Sequence, residues 1–150
     1  MKKLCLILAA VIAAPFALAQ DEAKLELTGN DMMQYNTKTL EVVTGQKVTL
    51  TFKHIGKLPI AAMGHNVVIL KPGTDIPKFA TACVPAKDTG YIPQDEDSKA
   101  KIVAHTELVG GGDSSTVTFT APEPGEYPYI CTFPGHFSLM QGVLTVKPKP

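Results

Sequence analysis

The sequence lacks arginine and tryptophan, and only three of its 150 residues are cysteine. All 14 basic residues are therefore lysines, which balance 14 acidic residues to a formal net charge of zero. This composition disfavours nucleic-acid binding, because such proteins usually present a basic face rich in arginine. Three cysteines are too few for a small scaffold held by disulfides. The 45% hydrophobic content argues against a disordered chain and suits one folded domain.

The N-terminal segment has the pattern of a secretory signal peptide. Two lysines lie within residues 1–3, residues 4–18 are almost entirely apolar, and small residues surround the position after Ala19. We predict that residues 1–19 are a signal peptide cleaved after Ala19. A membrane anchor is the alternative, but the apolar run is short for a membrane span and Asp21 and Glu22 follow it at once.

Cleavage would leave residues 20–150 as a single domain. This part of the chain has 12 lysines and 14 acidic residues, which gives a formal net charge of −2. It keeps two cysteines, Cys83 and Cys131. In an oxidising compartment, the first expectation for two thiols is a disulfide.

The hydrophobic pattern has a period of two, which is typical of strands with one buried face. Leu25 and Leu27, for example, alternate with charged or hydroxyl side chains. About eight short strands are predicted, at residues 24–28, 40–43, 47–53, 66–70, 101–104, 116–120, 125–131 and 142–146. Glycine, proline and asparagine separate them. This pattern predicts an all-β fold, an antiparallel β-sandwich or barrel.

One segment, residues 74–97, interrupts the alternation. Residues 76–82 predict a short helix with Thr74 or Asp75 as its N-cap. We interpret this segment as a helical insertion between two strands.

The most informative motif joins a cysteine, a histidine and a methionine near the C-terminus. Cys131, His136 and Met140 are spaced C-x4-H-x3-M between the last two predicted strands. A second histidine, His65, precedes another predicted strand. A loop between adjacent strands can bring such side chains to one point. One thiolate, two imidazoles and a weak thioether are the ligands of a blue-copper electron-transfer site.

Each of these residues also has an ordinary structural explanation. A methionine usually packs in the core, a histidine is often a surface or satisfied core residue, and Cys83 and Cys131 could form a disulfide. The joint spacing favours the metal site. The disulfide and the metal site exclude each other, because a metal needs Cys131 as a free thiolate.

Several motifs resemble those of the azurins, small periplasmic blue-copper proteins of the cupredoxin family. They are Gly29-Asn30-Asp31, Leu58-Pro59, residues 63–66, residues 102–106 and residues 131–140. The resemblance implies a Greek-key, cupredoxin-like β-sandwich with one type 1 copper, a periplasmic location and one-electron transfer rather than enzyme activity. Ala23 and Gly45 replace the azurin disulfide. The auracyanins also lack that disulfide, so a place in their branch is compatible with the sequence.

The resemblance also implies roles for individual residues. His65, Cys131 and His136 would be the in-plane copper ligands, with Met140 as the long axial ligand and the Gly64 carbonyl opposite it. Asn66 would tie the two ligand-bearing segments together, and the backbone N–H of Phe133 would donate to the Cys131 sulfur. His54 matches a histidine buried behind the site in the family. His105 has no assigned role, and Cys83 is expected to be a buried free thiol.

Partner docking is expected around His136, the ligand that lies mid-loop and is predicted to reach the surface. The candidate apolar patch comprises Met33, Leu58, Met63, Phe133, Pro134 and Phe137. The expected partners are c-type cytochromes, oxidases or reductases. The protein is expected to be a monomer that has no membrane anchor after cleavage and binds no nucleic acid.

Three other functions use parts of the same pattern. A copper carrier or buffer would use the same ligands to deliver the metal instead of cycling electrons. A copper enzyme such as a nitrite reductase would need a second copper site, for which four histidines in one domain are insufficient. In a binding or adhesion sandwich, the motif would be coincidental.

Overall fold

A computed structural model describes residues 21–150, so the predicted signal peptide lies outside the described residues. Two β-sheets face each other in this part of the chain. In one sheet the strand order is β2 (Gln34–Tyr35), β1 (Glu22–Asn30), β4 (Lys47–His54) and β7 (Ser114–Thr120). In the other it is β3 (Thr39–Val43), β9 (Gln141–Lys147), β8 (Gly125–Ile130), β5 (Val68–Leu70) and β6 (Ile102–His105). The predicted all-β sandwich is confirmed.

The sheets are mixed, so the predicted antiparallel arrangement holds for most strand pairs but not for two of them. β1 runs parallel to β4, and β3 runs parallel to β9. Because consecutive strands cross between the sheets, the chain can return to the first sheet in its original direction. The described residues form nine strands where about eight were predicted. β2, the additional strand, has two residues, which is too short to show an alternating pattern.

The core lies between the sheets and follows the alternation in the sequence. In β4, the side chains of Val48, Leu50 and Phe52 are buried, whereas Lys47 and Lys53 are exposed. Large residues from the facing strands complete this core, among them Leu27, Tyr35, Tyr129 and Leu144. The strand alternation therefore assigns the core correctly without any knowledge of the pairing.

The insertion between β5 and β6 contains the predicted helix, α2 (Ile76–Cys83). The Asp75 carboxylate accepts the Lys78 N–H at 3.0 Å, so Asp75 rather than Thr74 is the N-cap. The helix buries Phe79 and Cys83 in a second apolar cluster, and it lies against the loop that carries His136.

Two four-residue helices, α1 (Ile60–Met63) and α3 (Glu96–Lys99), were not predicted. Two 3₁₀ turns, Lys87–Thr89 and His136–Ser138, complete the helical structure of residues 21–150. None of the helices in this range has the length and apolar character that a membrane crossing requires.

Candidate metal centre

The C-terminal motif forms a compact loop between β8 and β9. Cys131 directly follows β8, His136 begins a 3₁₀ turn, and Met140 directly precedes β9. The backbone N–H of Cys131 donates to the Met140 carbonyl at 3.0 Å, and that of Met140 donates to the His136 carbonyl at 2.8 Å. Gly135 precedes the turn with φ +83°, a conformation that favours glycine. These bonds keep all three side chains at one end of the sandwich.

His65 is brought to the same point by a segment distant in sequence. Its backbone forms a two-way bridge with Val109, with N···O distances of 3.0 and 2.9 Å. Its Nε2 lies 2.9 Å from the Asn30 carbonyl and must donate to it, because a carbonyl only accepts. The lone pair of Nδ1 is therefore directed towards Cys131 and His136.

Three ligand atoms of His65, Cys131 and His136 form a triangle of the size a metal needs. The two Nδ1 atoms are 3.1 Å apart, and the Cys131 Sγ lies 3.9 Å from His65 Nδ1 and 3.8 Å from His136 Nδ1. The point in their plane that is equidistant from all three lies about 2.1 Å from each atom. Bonds from metal ions to imidazole nitrogen and thiolate sulfur are roughly 2.0–2.3 Å long. The triangle therefore fits one metal ion.

The triangle is almost completely closed to water. His65, Cys131 and Met140 have 0% relative exposure, and His136 has 4%. The Met140 methyl group packs near Gly29, and the Gly64 carbonyl lies 3.9 Å from the Cys131 sulfur. His65, Cys131, His136 and the Gly64 carbonyl, four of the predicted ligand groups, thus lie together.

Burial also determines the protonation states of the metal-free site. It lowers the pKa of His136 to about 4, with the charges of His65 and His54 acting in the same direction. It lowers the pKa of His65 as well, against the opposing hydrogen bond to Asn30. Both imidazoles are therefore neutral and ready to bind a metal at pH 7.

The Cys131 thiol is the one group that must lose a proton on metal binding. Burial raises its pKa to about 12, although backbone N–H groups of Asn66 and Phe133 that point at the sulfur act in the opposite direction. These two donors include the Phe133 N–H that the resemblance implies. They favour the thiolate form that a bound metal would stabilise.

Asn66 connects the two ligand-bearing segments. Its Nδ2 donates to the Thr132 hydroxyl at 2.8 Å, and its Oδ1 accepts the Thr132 backbone N–H at 2.9 Å. The Tyr35 hydroxyl donates to the Asn66 carbonyl. No sequence motif indicates these contacts of Tyr35 and Thr132, except that Thr132 directly follows a predicted ligand.

His54 lies buried behind the site. Its ring stacks on that of His65 at a centroid distance of 4.3 Å. Its Nδ1 accepts the Gly56 N–H at 3.0 Å, so its Nε2 donates to the Met63 carbonyl at 2.9 Å. The ring therefore supports His65 without facing the triangle. His105 lies on β6 and is half-buried.

The two cysteines are both buried and both free, so the alternative Cys83–Cys131 disulfide is absent from the described residues. Burial raises the pKa of Cys83 to about 12. Cys83 packs in the second apolar cluster with Phe79, Tyr91 and Ile130. It behaves there as a small apolar side chain.

The six residues predicted for docking differ in exposure. Leu58 and Pro134 are exposed, whereas Met33, Met63, Phe133 and Phe137 are half-buried. Met32, Ile60 and Leu139 are large exposed apolar residues that the predicted patch does not include. Their exposure has no signal in the sequence, because the alternation that marks strands does not apply in loops.

A β-sandwich with a buried His₂Cys triangle and a methionine on the same loop has the architecture of a type 1 copper protein. Comparison with known proteins agrees with this class. Residues 21–147 match the copper-binding proteins of the plastocyanin/azurin family. The chain therefore belongs to the plastocyanin/azurin family of copper-binding proteins. Its cofactor is one type 1 copper.

Individual relatives have 35% to 44% identity to the chain. Outer membrane protein H.8 of Neisseria gonorrhoeae is 44% identical over 120 residues, which cover 78% of this chain and 63% of that protein. The chain thus spans less than two thirds of the H.8 length. Azurin of Alcaligenes faecalis is 37% identical over 124 residues, which cover 80% of this chain and 94% of that azurin.

The solved structures of auracyanins match the fold closely. Auracyanin A of Chloroflexus aurantiacus superposes with a TM-score of 0.76 at 35% identity, covering 84% of this chain and 99% of that structure. A reduced auracyanin of Roseiflexus castenholzii has a TM-score of 0.75 at 36% identity, covering 85% and 99%. The resemblance to azurins, with its auracyanin-like branch, is confirmed.

Proposed function

We propose that this protein carries single electrons between redox partners and is not an enzyme. The observation that supports this function most directly is the buried triangle of two neutral imidazoles and one cysteine sulfur. In this proposal, copper is held by His65 Nδ1, His136 Nδ1 and the Cys131 thiolate, with the Met140 thioether and the Gly64 carbonyl as weaker neighbours. When bound, copper supplies the one-electron couple between Cu(II) and Cu(I).

The rigidity of the surrounding protein suits this role. The Asn30 carbonyl holds the His65 ring, and the Asn66–Thr132 pair fixes the strand end that carries Cys131. A ligand set that stays in place when the charge of the metal changes needs little reorganisation, which favours rapid electron transfer. The closed site also leaves no open position for a substrate, unlike a catalytic metal site.

Electrons would enter and leave near His136, which alone among His65, Cys131, His136 and Met140 has measurable exposure. Its ring lies 4.6 Å from that of Phe133, which reaches the apolar surface. The proposed partners are c-type cytochromes, oxidases or reductases that dock on the apolar patch around His136. The protein would act as a monomer. The signal-like N-terminus and the name of the H.8 relative, an outer membrane protein, support a periplasmic location.

A spectroscopic titration tests the proposal. The protein without residues 1–19 is titrated with Cu(II), and we expect an intense blue thiolate-to-copper band that saturates at one equivalent and bleaches on reduction. Cys131→Ser should abolish the band. Cys83→Ser is the matched control, because Cys83 is the other buried free cysteine, and it should retain the band. A colourless product with the unmodified protein would refute the proposal.

A copper carrier would give the same blue band but would differ in how fast it transfers copper and electrons. The burial of every ligand favours retention of Cu(I), because release would require opening the ligand loop. We therefore expect slow transfer of Cu(I) to the chelator bicinchoninate and fast electron exchange with a c-type cytochrome. Fast copper transfer with slow electron exchange would instead support delivery of the metal.

A further inference from the structure

Tyr91 has a backbone conformation that is unusual for an aromatic residue. Its φ is +63°, and the preceding Gly90 has a φ of +64°. Among the non-glycine residues between 21 and 150, only Met33 also has a positive φ. Glycine and asparagine adopt this conformation far more readily than a residue with a large side chain, which persists there only where other contacts hold it. The contacts of Tyr91 therefore show what holds it in this conformation.

The turn that contains Tyr91 belongs to the insertion between β5 and β6. The backbone N–H of Tyr91 donates to the Ala86 carbonyl at 2.8 Å, and that of Gly90 donates to the Lys87 carbonyl at 3.1 Å. The Tyr91 side chain is buried in the second apolar cluster. These bonds and this burial fix the direction in which the Tyr91 side chain leaves the backbone.

The Tyr91 ring reaches the ligand loop between β8 and β9 through Phe133. The centroids of these two rings are 5.2 Å apart and their planes lie at 68°, which is an edge-to-face arrangement. The same Phe133 ring lies 4.6 Å from the ring of His136. Tyr91 therefore contacts a side chain that is itself in contact with a predicted copper ligand.

Phe133 also contacts the ligands through its backbone. Its N–H points at the Cys131 sulfur, and its carbonyl accepts the His136 N–H at 3.0 Å. The position of Phe133 therefore affects Cys131 through a hydrogen bond to sulfur and His136 through both the ring and the carbonyl. Hydrogen bonds to the cysteine sulfur tune the reduction potential of such a copper site.

A second contact joins the same turn to the other ligand-bearing segment. The Gly90 carbonyl accepts the Nδ2 of Asn66 at 3.3 Å, and Asn66 directly follows the predicted ligand His65. The Gly90–Tyr91 turn is thus in contact with both segments that supply ligands.

We infer that Tyr91 is a positioning residue for the copper centre and that it acts by holding Phe133 in place. The inference rests on the proposed function, because it concerns the copper that this function requires. The Tyr91 ring keeps the Phe133 ring on His136 and thereby keeps the Phe133 N–H directed at the Cys131 sulfur. This hydrogen bond withdraws charge from the thiolate, which favours Cu(I) over Cu(II). Loss of the Tyr91 ring should therefore lower the reduction potential.

Three variants separate the ring contact from other effects. Tyr91→Phe keeps the ring, whereas Tyr91→Asn removes it and leaves a residue that tolerates a positive φ. Ile92→Ala is the matched control, because Ile92 is buried in the same apolar cluster next to Tyr91 and its loss should destabilise the same insertion. Tyr91→Gly, which fits the positive φ best, replaces Tyr91→Asn if the latter folds poorly. Urea unfolding measures the loss of stability in each variant.

The first measurement uses the metal-free protein, so it does not depend on copper. Hydrogen exchange in ¹⁵N-labelled protein reports on the amides of Phe133 and His136. Relative to the amides of β4, we expect Tyr91→Asn to speed exchange at these two amides about tenfold and Tyr91→Phe to leave it unchanged. No selective acceleration in Tyr91→Asn, or an equal one in Ile92→Ala, would overturn the inference, because the ring would then have no specific effect on Phe133.

The second measurement is the reduction potential of the copper-loaded variants. We expect Tyr91→Asn to shift the equilibrium with a redox dye about three- to tenfold towards Cu(II), which corresponds to about 30–60 mV for one electron. The energy of the blue band should shift as well. Tyr91→Phe and Ile92→Ala should leave the potential and the band unchanged.

The outcomes separate this inference from the proposed function. If Tyr91→Asn is less stable but keeps the potential and the blue band of the unmodified protein, Tyr91 is only a core residue and the inference fails, while the electron-carrier function stands. If the unmodified protein forms no blue band, the proposed function fails, and hydrogen exchange in the metal-free protein still tests whether Tyr91 holds Phe133.

Discussion

The Asn66–Thr132 pair offers a quantitative test of how the site is held together, through the substitution Asn66→Ala. The Asn66 amide satisfies the Thr132 backbone N–H at 2.9 Å, the Thr132 hydroxyl at 2.8 Å and, more weakly, the Gly90 carbonyl at 3.3 Å. Asn66 and Thr132 are buried. Truncation would therefore leave two buried polar groups and one partly buried carbonyl without their partner.

The expected loss of stability follows from the number of hydrogen bonds that each substitution removes. A buried polar group that loses its partner costs about 1–3 kcal/mol, so Asn66→Ala should lower the free energy of unfolding by about 3–4 kcal/mol. Thr132→Val removes only the hydroxyl, while the backbone N–H bond to Asn66 Oδ1 and the bond from Nδ2 to Gly90 persist. It should cost about 1 kcal/mol. The large difference between the two variants in the loss of unfolding free energy distinguishes a hydrogen-bond network from a single hydrogen bond.

Urea unfolding of the metal-free protein is the appropriate assay, because bound copper would add its own stabilisation. With a slope of about 2 kcal/mol per molar, Asn66→Ala should lower the urea midpoint by about 1.5–2 M without changing the slope. In the double variant the two costs should not add, because Thr132→Val removes the hydroxyl that Asn66→Ala leaves unpaired. Equal costs for the two single variants, or strict additivity, would refute the reasoning.

Three further predictions concern protons and packing. At pH 7, Cu(II) uptake should release about one proton per site, because the Cys131 pKa is about 12 while the His136 pKa is about 4; a pH-stat measures this, and Cys131→Ser should release none. The lowered pKa of His136 means that the unfolded chain binds more protons between about pH 4 and 6.5, so stability should fall as the pH drops through this window. His136→Gln should flatten that dependence in denaturant titrations. Gly142→Ala should lower the free energy of unfolding by about 1–3 kcal/mol, because the added methyl group would collide with the Tyr129 ring. In Gly125→Ala the nearest contact of the added methyl group is 3.5 Å away, so a thermal melt should show less than half that loss.

Most of the fold could be predicted because strands with one buried face leave a local signature. The alternation in β4 identifies Val48, Leu50 and Phe52 as core residues.

The predicted strand boundaries were less accurate near the metal site. The strand predicted over residues 66–70 begins at Val68, because Asn66 uses its side chain to bind Thr132 and its carbonyl to accept Tyr35. Functional contacts therefore displaced the regular pairing.

The local sequence pattern was sufficient to identify the ligand types and one half of the site. Cys131, His136 and Met140 lie within one loop between neighbouring strands, so their spacing alone brings them together. His65 is 66 residues from Cys131, and only the closure of the sandwich brings its Nδ1 within 3.9 Å of the sulfur. The resemblance to azurins implied that His65 and Cys131 lie together, whereas the local sequence pattern could not.

The strand directions and the size and burial of the ligand triangle could be learned from the tertiary structure alone. Each of these depends on which distant segments pack together. The parallel pairing of β1 with β4 arises from crossings between the sheets, and the pKa values of Cys131 and His136 follow from burial. Hydrophobic periodicity reports which side of a strand is buried, but not what it is buried against.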